Sequence, residues 1–392
     1  MRKVASCSSF AGYTLSVFSL VIIGILGALI GSFANVVIYR LPRSESVAFP
    51  GSRCPSCERA IKPWENVPIL SWLALRGRCA GCRVAISPRY PLVEALTAAG
   101  FVLLALRWPL ETYSFSVVPL LTIYAMLVMM SLIDLDHFIL PDSLTLPATG
   151  VALLGTYVYA ADSGLPSPSE ALVGAAVGAG ILALINRVGS LVLRRLGDTR
   201  ERLWPIGMDQ VNVAALGGAA LGWQAGLGLA AGSVVLNLAL RRPLRLAEGP
   251  LYGLWLLALA LSPVNPLVTP VQSLAGTFAA AGCVSVVGAL YWWLRDMFTS
   301  EETPETPEDD EPVAMGFGDV KLAAILGAML GWQLMLVGLL LAFIIGAVGG
   351  VIGRLAGGDR VIPFGPPLAL GGLLALFIGP AILAWYLGML GL

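Results

Sequence analysis

Long apolar segments recur along the whole chain, and they constrain its fold more than any other feature of the sequence. A transmembrane helix needs about 20 apolar residues, and segments of this kind follow one another from Val17 onward. Hydrophobic residues make up 57% of the chain and charged residues 12%, about half the charged share of a soluble domain. This pattern excludes a cytosolic globular enzyme and a disordered chain, and it predicts an all-α polytopic membrane protein.

The apolar segments predict about twelve transmembrane helices in a lipid bilayer. Two of them, 210–223 and 319–332, are short enough to be re-entrant instead. The first follows Arg2 and Lys3, as a signal peptide would, but its length and the lack of a clear cleavage site favour a retained helix. The predicted spans are 15–39, 91–107, 116–133, 143–160, 171–193, 210–223, 224–240, 250–263, 273–294, 319–332, 334–353 and 366–388.

Basic residues cluster in the loops between these spans, and their distribution predicts the orientation. The loop 40–90 carries many arginines, so the positive-inside rule places it in the cytoplasm. Most other basic residues then fall on the same side, and both termini lie outside. The 24 basic and 24 acidic residues cancel, which leaves no electrostatic argument for binding nucleic acid.

Two Cys-x-x-Cys pairs in the loop 40–90 predict a metal site. CPSC at 54–57 and CAGC at 79–82 are separated by residues 58–78, a spacing typical of a four-thiolate zinc site. Disulfides and free thiols are the alternatives, and the reducing cytoplasm disfavours disulfides. Four cysteines would fill the coordination sphere, so we expect a structural zinc ion that folds a small cytoplasmic domain. The predicted ligands are Cys54, Cys57, Cys79 and Cys82.

Acidic residues at the predicted membrane boundary are a second indication of a functional site. Charged groups are costly to place there, so their presence favours a functional role. Asp134 ends the third span, and Asp319, within GFGDVK (316–321), opens the tenth. Asp136 lies about 200° around the helix from Asp134, so the two cannot face one partner. Helix capping is the alternative role for Asp319. Two carboxylates that face each other can act as general base and general acid, as in an aspartic protease.

One stretch of the chain resembles a later one, which predicts a tandem duplication. GMDQVNVAALGGAALGWQ (207–224) aligns with GFGDVKLAAILGAMLGWQ (316–333) without a gap. The similarity extends outward to two four-helix units, 170–268 and 273–392. Chance similarity of Gly/Ala/Leu-rich helices is the alternative, but tryptophan and glutamine also match.

The two units differ where the second carries charged side chains. Gln210 of the first unit aligns with Asp319, and Asn212 aligns with Lys321. We therefore expect the first unit to be degenerate. Asp209, one position from the aligned acid, is the alternative catalytic residue.

These observations divide the chain into five parts: a first helix, the zinc domain, helices that carry Asp134, the degenerate unit, and the unit that carries GFGDVK. The last part includes an acidic segment, 299–315, which contains no basic residue and is expected to be a solvated linker. The predicted boundaries are 1–39, 40–90, 91–160, 170–268 and 273–392.

Several motifs together resemble the type IV prepilin leader peptidases, which are membrane aspartyl proteases of the GxGD type. GSFANVVIYRLPR (31–43) is similar to the exit of the family's first helix, and the CPSC–CAGC loop is similar to its cytoplasmic domain. SLIDLDHFILPDSLTLP (131–147) and GFGDVKLAAILGAMLGW (316–332) resemble its two catalytic segments. The resemblance implies that Asp134 and Asp319 are catalytic. The supporting residues of the motifs are Gly316, Gly318, Lys321 and Asp136.

The resemblance also implies a substrate and a location. The substrate is a prepilin or pseudopilin, cut after the glycine that ends a short basic leader, at the cytoplasmic face of the bacterial inner membrane. Many family members also N-methylate the new amino terminus with S-adenosylmethionine, and those members carry the zinc-binding domain, so a second activity is expected here, without assigned donor-binding residues. Glu65 and Glu94 are candidates for contacting a basic leader, although a solvated position is favoured for Glu65 and a first-turn role for Glu94.

The extra four-helix unit is a departure from the family, whose members have fewer spans. It separates Asp134 from Asp319 along the sequence. The alternative function is a catalytically lost scaffold or a transporter-like protein on the same fold. A third reading is methylation without proteolysis. The retention of both aspartates argues against these alternatives.

Overall fold

The computed structural model describes residues 17–194, 205–242, 246, 248–298, 316–355 and 363–389. Arg2, Lys3 and the predicted linker 299–315 lie outside these ranges. Within them the chain forms twelve α-helices and no β-strand, with two isolated bridges that join Arg53 to Ala60 and Arg78 to Ala85. The helices are α1 (Val17–Arg40), α2 (Leu70–Ala74), α3 (Arg89–Arg107), α4 (Leu110–His137), α5 (Asp142–Leu154), α6 (Pro168–Arg194), α7 (Met208–Leu221), α8 (Trp223–Leu240), α9 (Glu248–Leu261), α10 (Pro270–Phe298), α11 (Phe317–Leu355) and α12 (Gly365–Met389).

Eight helical segments among the described residues are long and apolar enough to cross a membrane. They confirm the all-α polytopic class, whereas the predicted number of twelve is not confirmed. Helices α5, α7 and α9 have only 13, 14 and 14 residues, about 20 Å of rise against a hydrocarbon core of about 30 Å. The eight segments are Val17–Arg43, Arg89–Arg107, Phe115–His137, Pro168–Asn186, Trp223–Leu240, Pro270–Trp292, Phe317–Leu355 and Gly365–Met389.

The chain forms two compact units, one up to Val128 and one from Met129 onward. In the first unit α1 packs along α3. Tyr124 of α4 donates a hydrogen bond of 2.9 Å to the carbonyl oxygen of Leu96 in α3, which fixes α4 against the same helix. The long loop between α1 and α3 contains α2 and the four predicted metal ligands, so this unit holds the whole predicted zinc domain.

Glycine pairs hold four helices of the second unit in a row. Gly174 of α6 lies so close to α11 that a Cβ atom on it would be 2.1 Å from the carbonyl oxygen of Gly327. A Cβ atom on Gly276 of α10 would be 2.5 Å from the carbonyl oxygen of Gly218 in α7. Since α6 and α10 also pack against each other, the row runs α11, α6, α10, α7. A larger side chain at these contacts would push the backbones apart.

This packing differs from the one expected if each predicted four-helix unit packed only within itself. Helix α6 lies in the predicted unit 170–268 but packs on α11 of the unit 273–392, and α10 of the second unit packs on α7 of the first. The first helix of each unit thus packs on the second helix of the other. The physical reason is the placement of the glycines, which allow the closest backbone approach at these two contacts.

The aligned segments contain the same backbone break. Gly222 separates α7 from α8 with φ +92° and ψ 163°, and Gly331 interrupts α11 with φ +73° and ψ 165°. Glycine adopts such a positive φ readily, whereas other residues are strained there. The boundaries predicted between adjacent short spans fall next to these two glycines, so each aligned segment forms a pair of helices.

Candidate functional site

Asp134 lies near the end of α4 and is buried, with 6% of its surface exposed. Its Oδ2 accepts a hydrogen bond of 3.0 Å from the backbone N–H of Gly365, the first residue of α12. A Cβ atom on Gly365 would lie 2.5 Å from the same oxygen, so only glycine lets the backbone come this close. The start of α12 therefore fixes the Asp134 carboxylate, and the positive end of its helix dipole faces that charge.

Asp319 lies in the first turn of α11 and is also buried, with 7% exposed. Its backbone N–H donates a hydrogen bond of 3.1 Å to the carbonyl oxygen of Gly316. Gly318 faces the side chain of Leu140, and a Cβ atom there would lie 2.8 Å from Leu140 Cβ. Gly318 thus allows α11 to begin in close contact with the segment that follows α4.

The structure brings the Asp134 and Asp319 carboxyl groups together within the second unit, close enough for the charge of one to act on the other. Asp136 lies two residues beyond Asp134 and is exposed, so it projects from another face of α4, as its position along the helix predicts. His137 is half-buried. Two buried carboxyl groups that act on each other's charge can activate a water molecule as general base and general acid.

Lys321 forms an ion pair with Asp142, the first residue of α5. The side chains of Lys321 and Asp142 are 18% and 33% exposed, and the Lys321 ammonium also lies 5.8 Å from the ring centre of Phe317. Lys321 was predicted as a motif residue, but no sequence pattern indicated its contact with Asp142. The two are 179 positions apart, and only the packing of α11 near α5 brings them into contact.

The sulfur atoms of the four predicted metal ligands lie within 4.8 Å of one another. The Cys54 and Cys82 sulfurs are 3.7 Å apart, close to the separation of about 3.8 Å between corners of a zinc tetrahedron with Zn–S bonds of about 2.3 Å. Each pair lies in a turn of the same design: the N–H of Cys54 bonds the carbonyl of Arg59, and the N–H of Cys79 bonds that of Val84. The cluster fits a structural zinc ion.

Backbone amides in these turns favour thiolates. The N–H groups of Cys82 and Gly81 lower the pKa of Cys79 to about 6, and those of Cys57 and Ser56 lower the pKa of Cys54. The amide of Val84 acts in the same direction on Cys82, but burial and the neighbouring sulfurs outweigh it and raise the pKa of Cys82 to about 11. Zinc binding would remove the remaining protons, because the metal takes thiolate ligands.

Arg59 links the first cysteine turn to Glu65. Its two terminal nitrogens donate hydrogen bonds of 3.3 and 2.7 Å to the two carboxylate oxygens of Glu65. This pairing lowers the pKa of Glu65. The sequence favoured a solvated position for Glu65, and the structure instead places its carboxylate in a charged hydrogen-bonded pair.

Glu94 is a structural residue of the first unit. It is buried, with 8% exposed, and its Oε2 accepts a hydrogen bond of 2.6 Å from the backbone N–H of Ile69. Ile69 has a φ of +61°, a strained conformation just before α2. Glu94 therefore ties the cysteine loop to α3. The first-turn role favoured by the sequence does not describe this contact.

A cavity of about 1130 Å³ lies between the cysteine loop and helices α1 and α3. Basic, acidic and aromatic side chains all line it, and no sequence motif pointed to it because its walls come from segments far apart in the chain. The lining residues of these three kinds include Arg40, Arg53, Glu45, Tyr39, Phe49 and Trp72.

The first of the aligned segments carries neutral residues at the positions that align with Asp319 and Lys321. Asp209, Gln210 and Asn212 are all buried at the start of α7. The Gln210 side-chain oxygen accepts a hydrogen bond of 2.7 Å from the N–H of Gly207, and Tyr252 donates one of 3.3 Å to Asn212. The counterpart of Asp319 thus bonds within its own segment, whereas the counterpart of Lys321 bonds α9.

Family models match most of the chain. The bacterial peptidase A24 N-terminal domain matches residues 25–108, and the type IV leader peptidase family matches residues 121–241 and 248–351. The matched ranges contain both aspartates, all four clustered cysteines and the two aligned segments. No solved structure matches the chain.

Three curated relatives bear the name prepilin leader peptidase/N-methyltransferase. The one from Myxococcus xanthus is 41% identical over 222 residues, 57% of this chain and 62% of the relative. The one from Stutzerimonas stutzeri is 30% identical over 389 residues, 93% of this chain and 92% of the relative. The one from Neisseria gonorrhoeae is 32% identical over 306 residues, 71% of this chain and 96% of the relative.

Proposed function

Since the chain belongs to the type IV leader peptidase family, we propose that it is a membrane aspartic endopeptidase of the bacterial inner membrane. It removes the short basic leader of a type IV prepilin or pseudopilin after glycine and then N-methylates the new amino terminus. The observation that carries the proposal is the meeting of two buried carboxyl groups, Asp134 and Asp319, at the ends of separate helices.

The proposed cleavage uses only these two carboxyl groups and water. One carboxylate takes a proton from water as the water oxygen attacks the carbonyl carbon after the leader's glycine. The other carboxyl group donates its proton to the carbonyl oxygen, which gives a tetrahedral intermediate. That intermediate collapses as the second carboxylate takes back the proton of one hydroxyl group, the C–N bond breaks, and the first carboxyl group gives its proton to the leaving amine.

The surrounding backbone supports this assignment of roles. The Gly365 amide holds one oxygen of Asp134, which leaves the other oxygen to take part in proton transfer. Burial of both carboxyl groups favours a shared proton, because two like charges in a site of low dielectric repel each other strongly. The loop 40–90 is basic, and the positive-inside rule therefore supports a site that faces the cytoplasm.

The four clustered cysteines are proposed to hold a structural zinc ion. All four positions are sulfurs, so the ion would organise the loop and leave no open position for substrate. The methyl donor would bind in the first unit, where the cavity of about 1130 Å³ offers aromatic, acidic and basic groups. S-adenosylmethionine, when bound, supplies the methyl group to the free amine.

The experiment is cleavage of a prepilin by the full-length protein in proteoliposomes, followed by mass spectrometry of the product. Asp134→Asn and Asp319→Asn should each lower the cleavage rate by about 10³-fold or more, because each removes a group that transfers a proton. Both variants should still methylate a pilin whose leader has already been removed. That second reaction shows that the variant is folded.

Asp209→Asn is the matched control, since Asp209 is buried at the same end of the aligned segment. It should leave cleavage unchanged. If Asp319→Asn cleaves normally and Asp209→Asn does not, the assignment of Asp319 is wrong. If none of the three variants alters cleavage, the aspartic mechanism is wrong.

A further inference from the structure

The ion pair between Lys321 and Asp142 takes no part in the steps above, yet it lies beside the proposed catalytic pair. Lys321 follows Asp319 by two residues on α11, and Asp142 begins α5. Both side chains are partly withdrawn from water. A charge in such a place is costly without its partner, so loss of one residue leaves the other charge uncompensated.

The segment between α4 and α5 contacts α11 on both sides of Asp319. It leaves α4 at Phe138, whose φ is +55° and whose N–H donates a hydrogen bond of 2.9 Å to the carbonyl oxygen of Asp134. Leu140 then packs against Gly318, one residue before Asp319. Asp142 pairs with Lys321, two residues after it. A short connection from Asp134 thus meets α11 at two points around Asp319.

We infer that the Asp142–Lys321 pair is a positioning element for peptide cleavage, which holds the start of α11 against the segment that follows Asp134. The pair thereby sets the separation of the two carboxyl groups without touching the reacting atoms. The inference rests on the catalytic role proposed for Asp134 and Asp319. Errors of about 1 Å in the placement of catalytic groups cost about 10²-fold in rate, so a positioning contact has a measurable effect.

The aligned segment supports this inference by comparison. Asn212 takes the place of Lys321 there, and it bonds Tyr252 of α9 instead of an acid. Gln210 takes the place of Asp319 in the same segment. The lysine therefore occurs with the buried acid, and a neutral residue occurs where that acid is replaced.

The test measures kcat and KM for prepilin cleavage by the full-length protein in proteoliposomes. Lys321→Met and Asp142→Asn should each lower kcat by about 10- to 100-fold and change KM by less than about 2-fold. Lys321→Arg should keep most of the activity. The double variant Asp142→Lys/Lys321→Asp restores the pair in reverse and should recover kcat to within about 5-fold of the wild type.

Asn212→Met is the matched control, because Asn212 occupies the aligned position in the first segment, and it should leave kcat unchanged. A rise in KM with constant kcat would mean that the pair binds the leader, which overturns the positioning role. A folded charge-reversal variant as slow as the single variants would also overturn it. If Lys321→Met does not fold, the charge-reversal variant decides the question alone.

The failure of this inference is distinguishable from failure of the proposed function. If Asp319→Asn is inactive while Lys321→Met retains full kcat, only the positioning role is wrong. If Asp319→Asn cleaves normally, the catalytic role on which the inference rests is wrong.

Discussion

Gly365 shows how a single missing side chain shapes the candidate site. Its backbone N–H bonds Asp134, and any Cβ atom at this position would lie 2.5 Å from the carboxylate oxygen. That distance is well inside van der Waals contact, so a methyl group must displace either the carboxylate or the start of α12. The glycine is therefore required by the position of Asp134 rather than by the helix that it begins.

Gly365→Ala should therefore lower kcat for prepilin cleavage by about 10²-fold, because the displaced Asp134 carboxylate loses both its hydrogen bond and its alignment. The steady-state rate in proteoliposomes measures the effect. Gly253→Ala is the control, since a Cβ atom there meets nothing within 4 Å, and it should cleave as the wild type does. Equal rates for the two variants would show that the Gly365 contact does not position the carboxylate.

At the scale of elements, the cysteine loop is organised by contacts that the sequence shows only in part. The Cys-x-x-Cys spacing predicts the cluster, because two short turns can bring four sulfurs to one ion. The Arg59–Glu65 pair and the Glu94–Ile69 hydrogen bond were not predictable. The Glu94–Ile69 bond depends on how the loop folds back on α3, and the Arg59–Glu65 pair depends on how the first cysteine turn meets the residues that follow it. The sequence pattern around an acidic residue near a helix start does not show whether its side chain is solvated or buried.

The pairing of Glu65 with Arg59 predicts a pH-dependent contribution to the stability of the cysteine loop. Hydrogen bonding from Arg59 lowers the pKa of Glu65, so the contribution is present above the unfolded pKa and is lost as the pH falls through the folded value. Glu65→Gln should release zinc about two- to five-fold faster at pH 7. The difference should vanish below the folded pKa of Glu65, where the wild-type carboxyl group is protonated too.

Zinc release to a chromogenic chelator, followed as the pH is lowered from 7 over the range in which the wild type still holds zinc, measures this contribution. Thiol protonation also releases zinc, but it acts on both proteins equally. Glu58→Gln is the control, because Glu58 is an exposed acid in the first cysteine turn, next to Arg59. This variant should release zinc as the wild type does. A difference between Glu65→Gln and wild type that does not shrink as the pH falls would contradict the ion-pair explanation.

At the scale of the molecule, the row α11, α6, α10, α7 suggests that residues between α6 and α11 form an insertion. Helix α10 packs on α7 as α6 packs on α11, and both contacts are glycine on glycine. The aligned sequences, the shared breaks at Gly222 and Gly331, and the two matched ranges of the leader peptidase family all support a duplicated unit. The catalytic pair would then need only α4, α5, α6, α11 and α12.

Deletion of residues 201–300 should therefore leave cleavage within about 10-fold of the wild type, because α6 still meets α11 and none of the described residues in this range belongs to the candidate site. Cleavage of prepilin by the purified deletion protein is the measurement, with its helical content by circular dichroism as the folding control. A folded but inactive deletion protein would show that α7–α10 take part in the site or in substrate binding.

The sequence predicted the membrane class, the cysteine cluster and the meeting of Asp134 with Asp319, because each depends on composition, spacing or motif. It did not predict which helices pack together. Hydropathy assigns the same signal to a long span and to a short buried helix, which is why α5 was predicted as a span of 143–160 although it has 13 residues. The pairing of α6 with α11 depends on glycines whose partners no single segment reveals.

The packing of α6 on α11 also sets an order of events during synthesis. Residues 195–316 leave the ribosome after α6 and before α11, which takes on the order of 10 s at about 5–20 residues per second. During that interval the glycine face of α6 at Gly174 has no α11 to cover it. The half of the molecule that carries Asp319 is thus completed late, so the nascent chain passes through a period in which the proposed catalytic pair is still incomplete.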